Sequence, residues 1–133
     1  MKINIYIKAE PFSINNAYYR SGRKKTECKD WEVRIHTQLR KYASLLDLVN
    51  KETKAESGLS LELLFYMPKS KLYTAKGAIS RKSKDLSNIE KLLIDCIFKH
   101  MPDRDDAEIV QMVSGKTATE GHEHGVRIIL ETL

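Results

Sequence analysis

The sequence predicts an α+β domain, a mixed and mostly antiparallel sheet of about four strands with two helices packed on it. Three observations predict it. Two stretches carry apolar residues at helical spacing, several shorter ones alternate apolar with polar residues, and their order along the chain is strand, helix, strand, helix, strand, strand.

Ile3, Ile5 and Ile7 alternate with Asn4, Tyr6 and Lys8, a half-buried strand that Pro11 ends. A polar loop follows, in which Ser13, Asn15, Asn16, Tyr18, Tyr19, Arg20, Arg23, Lys24 and Lys25 put amides, aromatics and cations in one short segment. That mixture suits phosphate contacts and stacking on unpaired bases; it suits equally an ordered connection with Asn in its turns. From Thr26 to Val49, Trp31, Ile35, Leu39, Tyr42, Leu45 and Leu46 recur at helical spacing, while Glu32, Arg34, Arg40 and Lys41 fall elsewhere. The segment reads as one long amphipathic helix with Trp31 and Tyr42 on its core stripe. Residues 50–58 are charged and weakly patterned, a surface loop.

Leu59, Leu61, Leu63, Phe65 and Met67 share one face of the next strand. Beyond Pro68 the pattern stops, and Lys69, Lys71, Lys76, Arg81, Lys82 and Lys84 accumulate with no acid before Asp85. Such a loop contacts a phosphate backbone or is simply solvated. Leu86, Ile89, Leu92, Leu93, Cys96 and Ile97 then mark a second helix, from Leu86 to Phe98, which Pro102 cannot continue. Ala107 to Val113 and Val126 to Leu130 alternate again, and the two read as a long-looped hairpin with His122 and His124 in its loop.

Length and composition bound the function. At 133 residues the chain is expected to be one domain, residues 1–133, burying roughly two thirds of its unfolded surface. No apolar run approaches the roughly 20 residues of a membrane span, and no signal-peptide pattern opens the chain. A soluble cytoplasmic protein with no membrane partner is therefore expected. Cys28 and Cys96 are isolated, with neither Cys-x-x-Cys spacing nor secretory context, so both read as reduced thiols. The net charge of +5 is compatible with a polyanionic partner.

The chemistry concentrates between Lys82 and Glu108. Asp85 stands at the start of the second helix, where a carboxylate caps free N–H groups and benefits from the helix dipole. Asp105 and Asp106 stand at the entry to the following strand. That helix runs roughly 20 Å away from Asp85, and the segment from Lys99 to Asp106 could return about 26 Å if extended. The acids can therefore converge at one end of the layer, where two or three carboxylates make an oxygen-ligand site for Mg²⁺ or Mn²⁺. Lys84, Ser87, Lys91 and Asp95 form one polar stripe on the helix, so Lys91 points where Ser87 points. A solvated face with a Lys91–Asp95 pair is the alternative reading of that stripe.

The segment KDLSNIEKLLIDCIF followed by RDDAEIVQ resembles the RusA family of Holliday junction resolvases. That family's motif is Asp-x-Asp-Asn-x-x-Lys on a helix, followed about fifteen residues later by Asp-Asp-x-x-Val at a strand start. A second segment, PFSINNAYYR from Pro11 to Arg20, is similar to the family's Pro-x-Ser-x-Asn-x-x-Tyr-Arg. In order and spacing the resemblance covers nearly the whole chain. It implies a RusA-like fold and a crossover junction endodeoxyribonuclease that acts as a homodimer on branched, four-way DNA in recombination and repair.

Carried over position by position, the resemblance makes Asp85, Asp106 and Lys91 catalytic, with Asp85, Asp106 and Asp105 holding Mg²⁺, or Mn²⁺ in its place. Asn88 is the motif Asn. It joins Asn15, Asn16, Tyr19, Arg20, Lys69, Lys71, Lys76, Arg81, Lys82 and Lys84 as the residues expected to contact DNA. One position departs: where the family carries its second Asp, this chain has Ser87. The rival reading is accordingly a branched-DNA binding protein that has lost cleavage.

Overall fold

The alternation of Ile3, Ile5 and Ile7 builds β1 (Lys2–Ile7) in the computed structural model, which describes residues 1–52, 57–81, 83 and 85–133. The long helix expected from Thr26 to Val49 is two, α1 (Thr26–Arg40) and α2 (Ala43–Lys51). The break has a local cause. The Lys41 amide bonds to Gln38 O and the Tyr42 amide to Leu39 O, tight closures that end α1, and the Tyr42 hydroxyl donates to Tyr6 O at 2.8 Å. The change of phase buries Leu46 and Val49 and turns Leu45 outward, although periodicity alone had placed Leu45 on the stripe.

β2 (Leu59–Pro68) and α3 (Lys69–Leu72), a single turn, precede α4 (Leu86–Lys99). On α4 the predicted stripe holds: Ile89, Leu92, Leu93, Cys96 and Ile97 are buried. Then come β3 (Ile109–Thr119) and β4 (Gly125–Thr132).

The last two strands do not form the expected hairpin. The sheet order is β1-β4-β2-β3, with β4 antiparallel to both β1 and β2 and with β3 parallel to β2. β4 is thus a central strand, and residues 120–124 carry the chain past the end of β2. A non-local pairing decides this, and hydrophobic alternation carries no information about which strand will be the neighbour. β3 also runs beyond Val113, through Ser114 and Gly115 to Thr119, because its backbone pairs with β2 as far as Pro68. The expected loop from Ser114 is therefore partly strand, with polar residues on the open edge of the sheet.

One face of the sheet carries Ile3, Ile5 and Ile7, Leu59 to Met67 at alternate positions, and Val126, Ile128 and Leu130; it joins the apolar sides of α1, α2 and α4 in a single core cluster. Removing one such fully buried side chain, as in Leu61→Ala or Leu93→Ala, costs about 2–5 kcal/mol. The crossover from β2 through α4 to the parallel β3 has a functional result: it brings Lys91 of α4 to Asp106 at the strand entry. Lys82 and Lys84, expected to contact DNA, lie outside the described residues.

Candidate active site and nucleic-acid interface

Asp85 occupies the N-cap position of α4 in an extended conformation, yet its side chain makes no cap hydrogen bond. The bland reading of Asp85 as a cap is thus not what its carboxylate does, and the residue is exposed. Asp105 is the opposite case. Its Oδ1 accepts the Ala107 N–H at 2.8 Å while Glu108 Oε2 accepts its own N–H at 2.8 Å, a capping box over the short 3-10 turn Asp106–Glu108. Acid, two residues, then Glu is the spacing that announces this box in the sequence. Asp105 so organises the turn that presents Asp106.

Lys91 Nζ lies 3.3 Å from Asp95 Oδ1 and 3.7 Å from Asp106 Oδ2. Both readings of the polar stripe are therefore present at once: the i,i+4 pair forms, and the same ammonium reaches the acid at the strand entry. The hydrogen bond that Lys91 donates to Asp95 is the first cause that holds the Lys91 pKa above its ordinary value, with Asp106 adding to it. Ser87 is exposed on this helix and Asn88 half-buried.

Among the described residues no group of three or more His, Cys, Asp or Glu side chains stands close enough to hold a metal ion. Mg²⁺ is usually bound by one or two carboxylates, with water and substrate phosphate completing its shell. Asp85, with no capping bond, and Asp106 are hard oxygen donors of that kind, so each fits such an ion in its chemistry.

The turn bearing Asp106 is clamped from behind, by residues the sequence reading did not single out. Arg104, only 7% exposed at its side chain, donates Nε to Val49 O at 3.2 Å and Nη1 to Glu108 Oε1 at 2.9 Å, and Nη2 also bonds Glu52 O. Asn50 exchanges two bonds with Asp103, Oδ1 accepting its N–H at 2.7 Å and Nδ2 donating to Oδ2 at 3.1 Å. The C-terminal carbonyls of α2, which a helix leaves without partners, are thereby satisfied by the strand-entry loop. On the other side, Lys116 of β3 donates to Ser83 Oγ at 2.8 Å and ties β3 to the loop just before Asp85.

Two small hairpins carry the other expected contacts, and their geometry is the same. In the first, Tyr19 N–H bonds Arg23 O, Gly22 N–H bonds Tyr19 O, and Tyr18 bridges Lys24; in the second, Thr74 N–H bonds Ala78 O, Gly77 N–H bonds Thr74 O, and Tyr73 bridges Ile79. Gly22 and Gly77 have φ of 85° and 81°, the left-handed position such three-residue turns require. Ala17 and Leu72, at matching positions, anchor the hairpins in the core. Arg20 and Lys76 lie at the exposed tips, Asn15 and Asn16 in the 3-10 turn Ile14–Asn16 that packs against α4, and Lys69 and Lys71 on α3. Arg81, also exposed, follows the second hairpin. Lys24 is held elsewhere, 3.0 Å from the buried Glu32. Glu32, on α1, also approaches Lys99 of α4 at 3.7 Å; helical spacing sets it off the apolar stripe, between Asp30 and Arg34, so nothing in the sequence signals its burial.

The fold and its side chains describe an α+β domain with a lysine–carboxylate pair between a helix and a strand entry, and with two hairpins that carry cations. The family model of the endodeoxyribonuclease RusA matches residues 9–131 of the chain. The chain belongs to the RusA endodeoxyribonuclease family. No curated protein matches it in a sequence comparison. No helix among the described residues is long and apolar enough to cross a membrane.

Proposed function

We propose that the protein is a Mg²⁺-dependent endonuclease, with Mn²⁺ able to substitute, that resolves four-way DNA junctions by symmetric nicking. The observation that carries this reading is the approach of Lys91 on α4 to Asp106 at the entry of β3, in a chain whose motif order is that of its family. Asp85 and Asp106 would hold the metal, beside the turn that Asp105 caps. When bound, the metal polarises the scissile phosphate and lowers the pKa of the attacking water. Lys91, kept protonated by its two acidic neighbours, offsets charge that develops on the phosphate. Asp95 fixes the direction of that ammonium.

Arg20, Lys69, Lys71, Lys76 and Arg81 are spread over exposed loops on which a phosphate backbone can lie, and the amides of Asn15, Asn16 and Asn88 add neutral donors near α4. A homodimer would place two such sites for two symmetric cuts. The edge strand β3 supports it: Val110 and Val113 are exposed beside the site, and no charged residue occurs from Ile109 to Gly115. Cytoplasmic DNA in recombination and repair is the proposed substrate source.

The rival reading, junction binding without cleavage, rests on the exposed Ser87 at the position of a family carboxylate. Nicking of a synthetic four-way junction by the wild type and by Asp85→Asn and Asp106→Asn tests both readings. Nicking in Mg²⁺ or Mn²⁺ that each variant abolishes, with binding intact or tighter because a negative charge beside the phosphate is gone, supports the enzyme. Tight binding with no nicking in either metal supports the rival.

A further inference from the structure

The first hairpin borders a cleft of about 390 Å³ lined by Phe12, Ser13, Asn16, Tyr19, Lys25 and Glu27. That volume lies within the range of small-ligand sites. Its aromatic wall is fixed from two sides. Tyr19 is held in the hairpin by its bond to Arg23 and is 45% exposed, with the Arg23 guanidinium 5.3 Å and the Lys25 ammonium 5.6 Å from its ring centroid. Phe12 packs on Trp31 at 5.8 Å, and Trp31 donates its indole N–H to Glu10 O. Ser13, nearly buried, caps the 3-10 turn, accepting the Asn15 N–H on Oγ and the Asn16 N–H on its carbonyl. Asn16 thus stands on a rigid turn, and that turn packs on α4, the helix that Asp85 begins.

The chemistry of the lining selects the occupant. Tyr19, nearly half exposed, offers aromatic surface for stacking, and the two cations over its ring add attraction for an electron-rich ligand. The Asn16 amide presents a donor and an acceptor side by side, the pattern that pairs with a base edge. Lys25 suits a phosphate at the mouth, whereas the Glu27 carboxylate disfavours a bare anion as the occupant. From these groups we infer that the cleft is a subsite for one unpaired nucleotide, its base stacked on Tyr19 and its phosphate beside Lys25. The inference rests on the reading of the protein as a branched-DNA nuclease and adds to it a means of telling distorted from regular DNA: a fully paired duplex has no base to place there.

The test compares affinities for a linear duplex, a duplex with one unpaired nucleotide, and a synthetic four-way junction, for the wild type, Tyr19→Ala and Tyr19→Phe. The wild type and Tyr19→Phe should prefer the second and third DNAs over the first. Tyr19→Ala should lose roughly tenfold of that preference, the scale of one stacked base, with linear-duplex affinity and circular dichroism unchanged. A 5-iododeoxyuridine at the unpaired position should crosslink to Tyr19. A Tyr19→Ala loss that is equal on all three DNAs, or no loss at all, would overturn the subsite and reduce Tyr19 to scaffold or backbone contact. Wild-type protein that never nicks but keeps a Tyr19-dependent preference for the unpaired nucleotide would refute the nuclease reading and uphold the subsite.

Discussion

Lys91 is the residue on which the structural and chemical readings meet, since its ammonium lies 3.3 Å from Asp95 and 3.7 Å from Asp106. Exposed pairs of this kind contribute about 0–1 kcal/mol, so stability is not what the arrangement supplies. Lys91→Ala should lower junction nicking by about 100-fold or more, the scale of losing one preorganised charge, while Tm moves by no more than about 3 °C. A Tm drop of many degrees with activity retained would make the pair structural. Ser87 poses the complementary question. If it points toward the ion held near Asp85, Ser87→Asp should move half-maximal nicking to lower Mg²⁺ concentration in a titration, and Ser87→Ala should change little. An unchanged or higher midpoint for Ser87→Asp would show that another acid already serves there. At this scale motif spacing singles out Asp85, Asp106 and Lys91, and of these the structure brings Lys91 and Asp106 together. The sequence also held the capping signature of Asp105 and Glu108, which motif matching alone passes over because it assigns every acid of the pair to the metal.

Elements hold these residues through contacts that no local pattern announces. Arg104 joins the end of α2 to the Asp106 turn with its side chain almost fully buried. Arg104→Ala removes the bonds to Val49 O and Glu52 O and the ion pair with Glu108, whose carboxylate keeps the Asp105 N–H; this should cost about 1–3 kcal/mol and lower Tm by roughly 3–10 °C, calorimetry of the variant checks it, and an unchanged Tm would mean that Arg104 does not clamp the turn. Arg104→Lys should recover little, because an ammonium cannot reproduce the planar fork. Between α1 and the end of α4, His36 Nδ1 and His100 Nε2 lie 2.9 Å apart. Burial is the main cause that holds both imidazoles below their ordinary value of 6.5; Lys99 adds to it at His36, His36 itself adds to it at His100, and Arg40 acts on both. The unfolded chain therefore takes up protons first as pH falls below about 6.5, and stability that is full above that value declines toward pH 5. Thermal melts at pH 7.5 and pH 5.0 should show the loss, and His36→Gln with His100→Gln should reduce it; an identical acid-side loss in the double variant would place its origin elsewhere. The helices and the cores of all four strands were readable from period and alternation. The break between α1 and α2 was not, since it follows from Tyr42 reaching Tyr6 O, a contact between residues far apart in sequence.

For the molecule as a whole, the crossover that makes β3 parallel to β2 does the decisive work, bringing α4 and the strand entry together, while the insertion of β4 between β1 and β2 closes the core. The meeting of Lys91 with Asp106 joins two residues that motif spacing singles out; the place of β4 carries no such signal, because strand partners are chosen by the whole sheet. Residues 20–25 and 69–84 carry ten Lys and Arg and no acid, so junction binding should weaken steeply with salt. In the proposed reaction one domain uses Asp85, Asp106 and Lys91 to cut branched DNA. Mapping nicks on a four-way junction labelled in each strand, with Mg²⁺ and with chelator, tests it most directly. The account predicts metal-dependent nicks at symmetry-related positions in two opposing strands and none in a linear duplex of the same sequence. Metal-independent nicks, equal cutting of the linear duplex, or tight junction binding with no nick in either Mg²⁺ or Mn²⁺ would contradict it.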